Sequence, residues 1–449
     1  MEKSILKSFA KYVSLNVLGM IGLSCYILAD TFFVAKALGA TGIAALNFSI
    51  SIYSVIHGTG LMIGIGGATR YSILKSQNED KKANIVFSTC MKLGVLIGVI
   101  FAIIGIFGSG SLALILGADI STLPLTKTYL TTILCFAPFF IINNIVLAFV
   151  RNDNNPNLSM IAMLTGSFSN IILDYIFMFP LGMGMFGAAF ATGLAPIISI
   201  GILVIHFMKK KNNFIYIHSR MIWRSVRDIF SLGLSTFITE VSSAVVLITF
   251  NLVILSLEGN LGVAAYGIVA NVALVGVSIF NGIAQGIQPI ISKGHGLKNY
   301  EMIRKVRKYA LLTSLFITLI IYWGMFFNTN SIIGIFNSEQ NLEIAQIAQT
   351  GFRIYFIGFL FVGINIIMAM YLSVTEYTKD AFIISMARGC IIIVPLVLLL
   401  SRIWNMVGVW LAFVLTECIV TMLAIFIVSL RKKSSIKEKI SVNIQNELY

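Results

Sequence analysis

Charge is scarce in this chain: 11% of its 449 residues are Asp, Glu, Lys or Arg, 58% are hydrophobic, and mean hydropathy is +0.93. That balance excludes an ordinary water-soluble domain and asks for lipid as the solvent. Cysteine is sparse as well. Cys25, Cys90, Cys135, Cys390 and Cys418 are scattered in apolar segments, with no CxxC pair and no histidine at ligand spacing, and read as inert membrane thiols. The four histidines, His57, His206, His218 and His295, form no HExxH, and no GxSxG elbow is present, so neither hydrolase chemistry is built in. No Walker A sequence occurs either, so transport driven directly by ATP would need a separate subunit. Gly182-Met-Gly-Met-Phe-Gly187 spells GxGxxG, but it joins two apolar segments and follows no strand; it reads as a turn.

What the chain has in abundance is long apolar runs. A spanning helix needs about 20 mainly apolar residues, and twelve such windows fall near 12–34, 43–69, 87–108, 127–150, 157–179, 186–208, 229–256, 263–290, 309–327, 346–373, 380–402 and 407–430. The first follows Lys3, Lys7 and Lys11 and resembles a signal peptide, but 12–34 is too long for an h-region of about 7 to 15 residues, so it is expected to stay as a span. The net charge of +14 lies in short basic runs between the spans rather than in a nucleic-acid-binding face. With twelve spans, 28 of the 32 Lys and Arg fall on the side of the termini, and only Lys36, Lys127, Arg353 and Arg402 on the other. The positive-inside rule makes the basic side cytoplasmic, giving a multi-pass protein of a bacterial plasma membrane with both termini inside.

The chain also repeats itself at an offset of about 220 residues. Gly42-Ile-Ala-Ala-Leu answers Gly262-Val-Ala-Ala-Tyr, Gly66 answers Gly286, and Gly108 to Gly117 aligns with Asn328 to Asn337. Six spans per half is an even number, so the halves share one orientation and a pseudo-two-fold along the membrane normal. The expected fold is all-α and integral to the membrane, with lobes at 1–208 and 229–430, a basic linker at 209–228 and a tail at 431–449.

Four carboxylates lie inside spans, where each costs about 2.5 to 3.5 kcal/mol on insertion scales. Asp30 and Asp174 sit at similar depth in the outer parts of spans one and five, so both can face one pocket. Asn170 lies one turn before Asp174 on the same face, and Thr192 follows the small run Gly187-Ala188-Ala189 in span six. Together they offer oxygen ligands for a hard cation such as Na+, or partners for a shared proton. Desolvation and mutual repulsion work against both acids being charged at once. At the repeat offset Asp30 meets Phe250 and Asp174 meets Val394, so the pair belongs to the first half alone. The plainer alternative is a pair of interfacial acids solvated at the outer surface. Glu240 and Glu417, mid-way along spans seven and twelve, are candidates for binding a cationic substrate; the alternative is a buried, hydrogen-bonded carboxyl. Gln285, Gln288 and Pro289 suggest a kink in span eight, and Asn365 is the strongly polar residue in the middle of span ten.

These residues give the chain a family likeness. Leu28-Ala-Asp-Thr-Phe-Phe-Val with Ala37-Leu-Gly, then Arg151-Asn-Asp-Asn-Asn-Pro, Asn170-Ile-Ile-Leu-Asp-Tyr-Ile-Phe and Gly182 to Thr192, and later Gly286-Ile-Gln-Pro-Ile-Ile and Gly408-Val-Trp-Leu-Ala with Glu417, resemble the multidrug and toxic compound extrusion (MATE) transporters end to end, in their MepA-like bacterial branch. The resemblance implies two six-helix lobes around a cleft, and export of amphipathic organic cations in exchange for H+ or Na+. It carries the family's cation-coupling site onto Asp30, Asn170, Asp174 and Thr192, with the Ala188 carbonyl as a further ligand. Glu240 matches an acid that some members carry in span seven, whereas the span-ten acid of some relatives has no counterpart here. A lipid-linked sugar flippase of the same superfamily is the alternative function, disfavoured because the mid-membrane charges placed from sequence are acidic. A channel would not need a loaded acid pair. No enzyme activity, cofactor or nucleic-acid partner is expected beyond the coupling ion, the substrate binds through Glu240, Glu417, Gln285, Gln288 and Asn365, and a monomer in the bilayer is the expected working unit.

Overall fold

The computed structural model describes residues 2–336 and 341–447, so Asn337 of the repeat and the last two residues of the expected tail lie outside the described residues. Every regular element among the described residues is helical. Eight helical stretches are long and apolar enough to cross a membrane, and a bent pair, Leu123–Cys135 with Ala137–Asn152, makes one more. Three of the stretches are two spans each: Glu2–Ser76 breaks at Gly39, Trp223–Gly296 at Gly259, and Thr378–Arg431 at Trp404 and Asn405. The result is twelve spans. Most observed helices outrun the hydropathy windows by several residues, because their polar ends stay helical beyond the apolar stretch. Span seven begins at Trp223, within the segment expected to be linker.

The breaks document the internal repeat more sharply than the sequence matches do. Gly39 (φ 63°, ψ −152°) and Gly259 (φ 60°, ψ −151°) stand 220 residues apart in a backbone region that is essentially reserved for glycine. Asn78 and Lys298, also 220 apart, both take positive φ where the second and eighth spans end. Other bends are local. Pro138, at the start of the second half of span four, has no N–H to continue the helix, and the two pieces meet at 47°. Pro289, by contrast, does not interrupt its helix, since Gly259 is the non-helical residue in Trp223–Gly296.

Each half builds its own apolar core, one around Ile63, Phe87, Ile145 and Phe149, the other around Phe250, Phe280, Phe356 and Trp410. At the basic end the halves exchange residues symmetrically. Phe9 joins the second core and Ile229, 220 positions later, joins the first. Gly66 packs against the Ile229 carbonyl and Gly286 against Val13 Cα, so any Cβ there would overlap backbone. That close approach is the physical reason for the Gly66 and Gly286 correspondence.

Polar contacts finish this seal. Gln288 donates to Thr69 Oγ1 (2.9 Å) and accepts from Asn152 (2.8 Å); Arg151 donates to Asn16 Oδ1 (2.6 Å) and Gln285 Oε1 (2.9 Å). Nearer water, Arg70 pairs with Asp228 (3.3 Å) and Glu376 (3.0 Å), and His295 Nε2 lies 3.1 Å from Glu376. The cross-lobe hydrogen bonds described here cluster at the basic end. The linker is fastened to the first lobe alone: Phe214 is buried against Phe87, Phe149 and Tyr71, and Asn213 donates twice to Asp153, at 2.7 and 2.8 Å.

The hydrogen bond from His295 and then the charges of His295 and Arg70 hold the Glu376 carboxyl below its ordinary range. A depressed carboxyl contributes its stabilisation above the ordinary Glu range and loses it as pH falls through the lower folded value. Because Glu376 is 46% exposed, the contribution is at most about 1 kcal/mol. Glu376→Gln is therefore expected to speed hydrogen exchange in 65–76 and 292–296 by up to about fivefold at neutral pH, and the wild type to approach the variant in acid.

Candidate functional site

Span one carries Asp30 and span five carries Asn170 and Asp174, and the fold brings all three together with Thr192 of span six. Asp30 is 6% exposed, Thr192 3%, and Asn170 and Asp174 0%. Helix geometry explains the alignment: Asn170 and Asp174 are one turn apart, and span five packs its small and polar face, Gly166, Ser167 and Asn170, toward its neighbours. Gly166 sits 3.1 Å, measured from an added Cβ, from the Ala195 carbonyl, which lets span six come close enough to supply Thr192.

Asn170, with its amide oriented to suit its neighbours, donates to Asp174 Oδ2 (3.1 Å) and accepts the Thr192 backbone N–H (3.2 Å). The Thr192 hydroxyl donates to the Ala188 carbonyl at 3.0 Å. The Ala188 carbonyl thus orients Thr192. Asp30 and Asp174 feel each other's charge, and one oxygen of each, Oδ1, is buried with no hydrogen-bond partner among the described residues. Buried carboxylate oxygens of a native protein are almost always satisfied. Open oxygens on two acids of one buried cluster are suited to a proton or a small cation, and the interfacial, solvated alternative does not fit their burial.

Sequence reasoning missed the tyrosines around this cluster. Tyr129 of span four lies in the field of both acids and its hydroxyl reaches Thr192. Tyr26, one turn before Asp30, shares a 2.7 Å hydroxyl contact with Tyr53 of span two. The i−4 spacing of Tyr26 from Asp30 was a visible signal; Tyr53 and Tyr129 needed the tertiary structure.

Two cavities adjoin the seal. One lies mainly in the first lobe, lined by Tyr26, Tyr53, His57 and Asn144; the other is lined by Glu240, Asn365, Ser385 and Arg388. Ile65 and Gln285 line both. Glu240 has no hydrogen bond or ion pair among the described residues, and its Cβ packs 3.2 Å from the position of an added Cβ on Gly58 of the opposite lobe.

The remaining expected substrate residues divide. Asn365 lines the second cavity but spends its amide on Glu417, at 2.7 Å to Oε2 and 2.9 Å to the carbonyl. Glu417 is 2% exposed and ion-paired with Arg388 (2.6 Å), so it presents no open charge to a ligand. Gln288 is wholly buried in the lobe seal, away from both cavities, and Gln285 is the member of that pair that reaches them. Arg388 itself corrects the expectation that mid-membrane charges are all acidic. It had been counted with the basic side because it falls in an apolar window with nothing nearby to mark its depth.

Removing one partner of a buried pair leaves the other uncompensated, at about 3 to 5 kcal/mol, whereas removing both is close to neutral. Glu417→Gln is expected to lower the apparent Tm of the detergent-purified protein markedly, and Arg388→Gln/Glu417→Gln to recover most of the loss in the same thermal unfolding assay.

A MatE family model matches residues 17–176 and 236–399, one match in each half. Among curated relatives, the multidrug export protein MepA of Staphylococcus saprophyticus is 26% identical, covering 96% of this chain and 94% of its own length, and that of Staphylococcus aureus strain MRSA252 is 25% identical over 96% and 95%. Among solved structures, a MATE family transporter of the MOP superfamily in an outward-facing conformation superposes with a TM-score of 0.89 at 21% identity, covering 96% of both chains. A MOP superfamily transporter from Pyrococcus furiosus gives 0.87 at 21% identity, covering 95% of both. The likeness to these structures extends over the twelve-span, two-lobe layout.

Proposed function

The chain belongs to the MatE family, and from that premise we propose that it is a secondary active antiporter exporting amphipathic organic cations in exchange for H+ or Na+. The observation that carries the coupling half of this reading is the pair of open, buried oxygens on Asp30 and Asp174. Two neighbouring carboxylates in a dry pocket are stabilised by whatever cation enters between them. Asp30 and Asp174 would take the ion directly, Thr192 would offer its hydroxyl oxygen, and Asn170 would hold Asp174 in place. The multidrug export activity named for the MepA relatives supports the substrate half, as does Glu240, an acid without a counterion among the described residues in a cavity that Ser235, Thr239 and Asn281 also line.

The lobes meet at the basic end, which the charge distribution assigns to the cytoplasm. The arrangement therefore corresponds to a cleft sealed from inside, the state in which substrate leaves and the ion is taken up from outside. Ion entry at Asp30 and Asp174 would bias spans one, five and six, and span one is also the span whose inner end, through Phe9 and Val13, is seated in the second lobe. Differential ion affinity of the two arrangements is the energy source for the reverse movement.

In proteoliposomes, outwardly directed efflux of a fluorescent organic cation is expected under an imposed H+ or Na+ gradient, with Asp30→Asn and Asp174→Asn each reducing the gradient-driven rate at least tenfold at equal protein density. Glu240→Gln is expected to change the order of preference among cations while leaving the gradient dependence in place. Undiminished efflux in both aspartate variants would overturn the coupling assignment, and loss of coupling in Glu240→Gln would overturn the division of labour between lobes.

A further inference from the structure

We propose that Arg388 is an anion-recognition group in the second-lobe cavity, and that together with Glu240 it fits this cavity to amphipathic zwitterions bearing a carboxylate as well as an amine; the inference rests on the export reading above. Span eleven is irregular where Arg388 occurs. Helix Thr378–Met386 passes into a π turn, Ala387–Ile391, before the α-helix resumes at Ile393. Such single π turns insert a residue, cost regularity, and are retained mostly where they aim a side chain. Gly389 within the turn packs so closely on Ser242 of span seven that a Cβ there would overlap the serine side chain, which fixes the turn against the helix that carries Glu240.

The guanidinium is held from one side only. Its Nε donates to Glu417 Oε1 at 2.6 Å, while the other carboxylate oxygen of Glu417 accepts from Asn365 at 2.7 Å, and Asn365 is in turn fixed by Thr421 at 2.9 Å. Glu417 is thus tied on both oxygens and works as the anchor that positions Arg388. The two terminal nitrogens of Arg388 make no hydrogen bond among the described residues. Arg431 shows the contrast: it grips Asp380 through both Nε and Nη2, at 2.6 and 2.9 Å.

A pair built only to cancel charge would use the two-pronged geometry, which is the stronger one. Here the fork makes no hydrogen bond among the described residues, the side chain is 16% exposed, and it lines the cavity that also holds Glu240. A guanidinium presenting its terminal N–H groups is suited to a planar carboxylate, and a carboxylate such as Glu240 to an ammonium. One ligand carrying both groups would satisfy both side chains at once and leave the cavity with balanced charge.

The test compares a rhodamine methyl ester, a permanent cation, with its free acid, a zwitterion that differs only by the ester. Both are loaded into proteoliposomes and their gradient-driven export is measured for the parent, for Arg388→Lys and for Arg388→Gln/Glu417→Gln. The parent is expected to export both dyes, and the free-acid to ester rate ratio to fall at least about tenfold in both variants, as loss of a charge-assisted pair of hydrogen bonds requires. Arg388→Lys keeps a cation beside Glu417, so it separates loss of the fork from loss of folding. An unchanged ratio in either variant overturns the inference, and so does a parent that exports the ester but not the free acid. A parent that exports neither dye overturns the export reading together with this one.

Discussion

A carboxylate carried into hydrocarbon costs about 2.5 to 3.5 kcal/mol even on the milder scales, and the two lobes answer that cost in opposite ways. In the second lobe it is met in full: Glu417 is bound on one oxygen by Arg388 and on the other by Asn365. In the first lobe Asn170 meets part of the demand on Asp174, while Oδ1 of Asp174 and Oδ1 of Asp30 are buried without a hydrogen bond among the described residues. A satisfied acid is architecture. In the proposed function the acid pair left short of partners is the demand that the coupling ion would meet, with the small residues of span five and the tyrosines near Asp30 around it.

In the proposed exchange cycle that demand would be coupled to a movement of the lobes about the end at which they are joined. Their close contacts are made at one end by glycines 66 and 286 and by the exchanged residues Phe9 and Ile229, all related by the internal repeat. A two-fold seal of small residues and side-chain hydrogen bonds, with Phe9 and Ile229 each seated in the opposite core, ties the lobes at this end. The linker lies against the first lobe: Phe214 is buried there, Ile217 N–H donates to Ser88, and the Ser219 carbonyl accepts from Lys92.

The architecture was legible because lipid imposes it on sequence. Twelve apolar windows and a 220-residue repeat gave the spans and the lobes, and the repeat's asymmetry singled out Asp30 and Asp174 before any coordinates. Asn170 was legible through helical spacing and Thr192 through the small-residue run before it in span six. What stayed hidden depends on relations that no single helix carries. Arg388 falls in an apolar window and its partner Glu417 comes from span twelve, and a π turn has no signature in hydropathy. Gln288 looked like a substrate ligand because a polar residue in a span implies either function or a partner; its partners, Thr69 and Asn152, are 219 and 136 residues away. Tyr53 and Tyr129 belong to the same class of distant neighbours.

The central claim is that the first-lobe pair binds an ion in competition with the exported substrate. Its most direct test is to titrate the purified protein with an organic cation in a calorimeter, using buffers of different ionisation enthalpy and repeating each titration with and without Na+. Exchange predicts that binding displaces an ion: the heat should vary with buffer if the ion is H+, or the affinity should fall with Na+ if it is Na+, and Asp174→Asn should remove the dependence. Binding with the same heat in every buffer and the same affinity at every Na+ concentration would contradict the account.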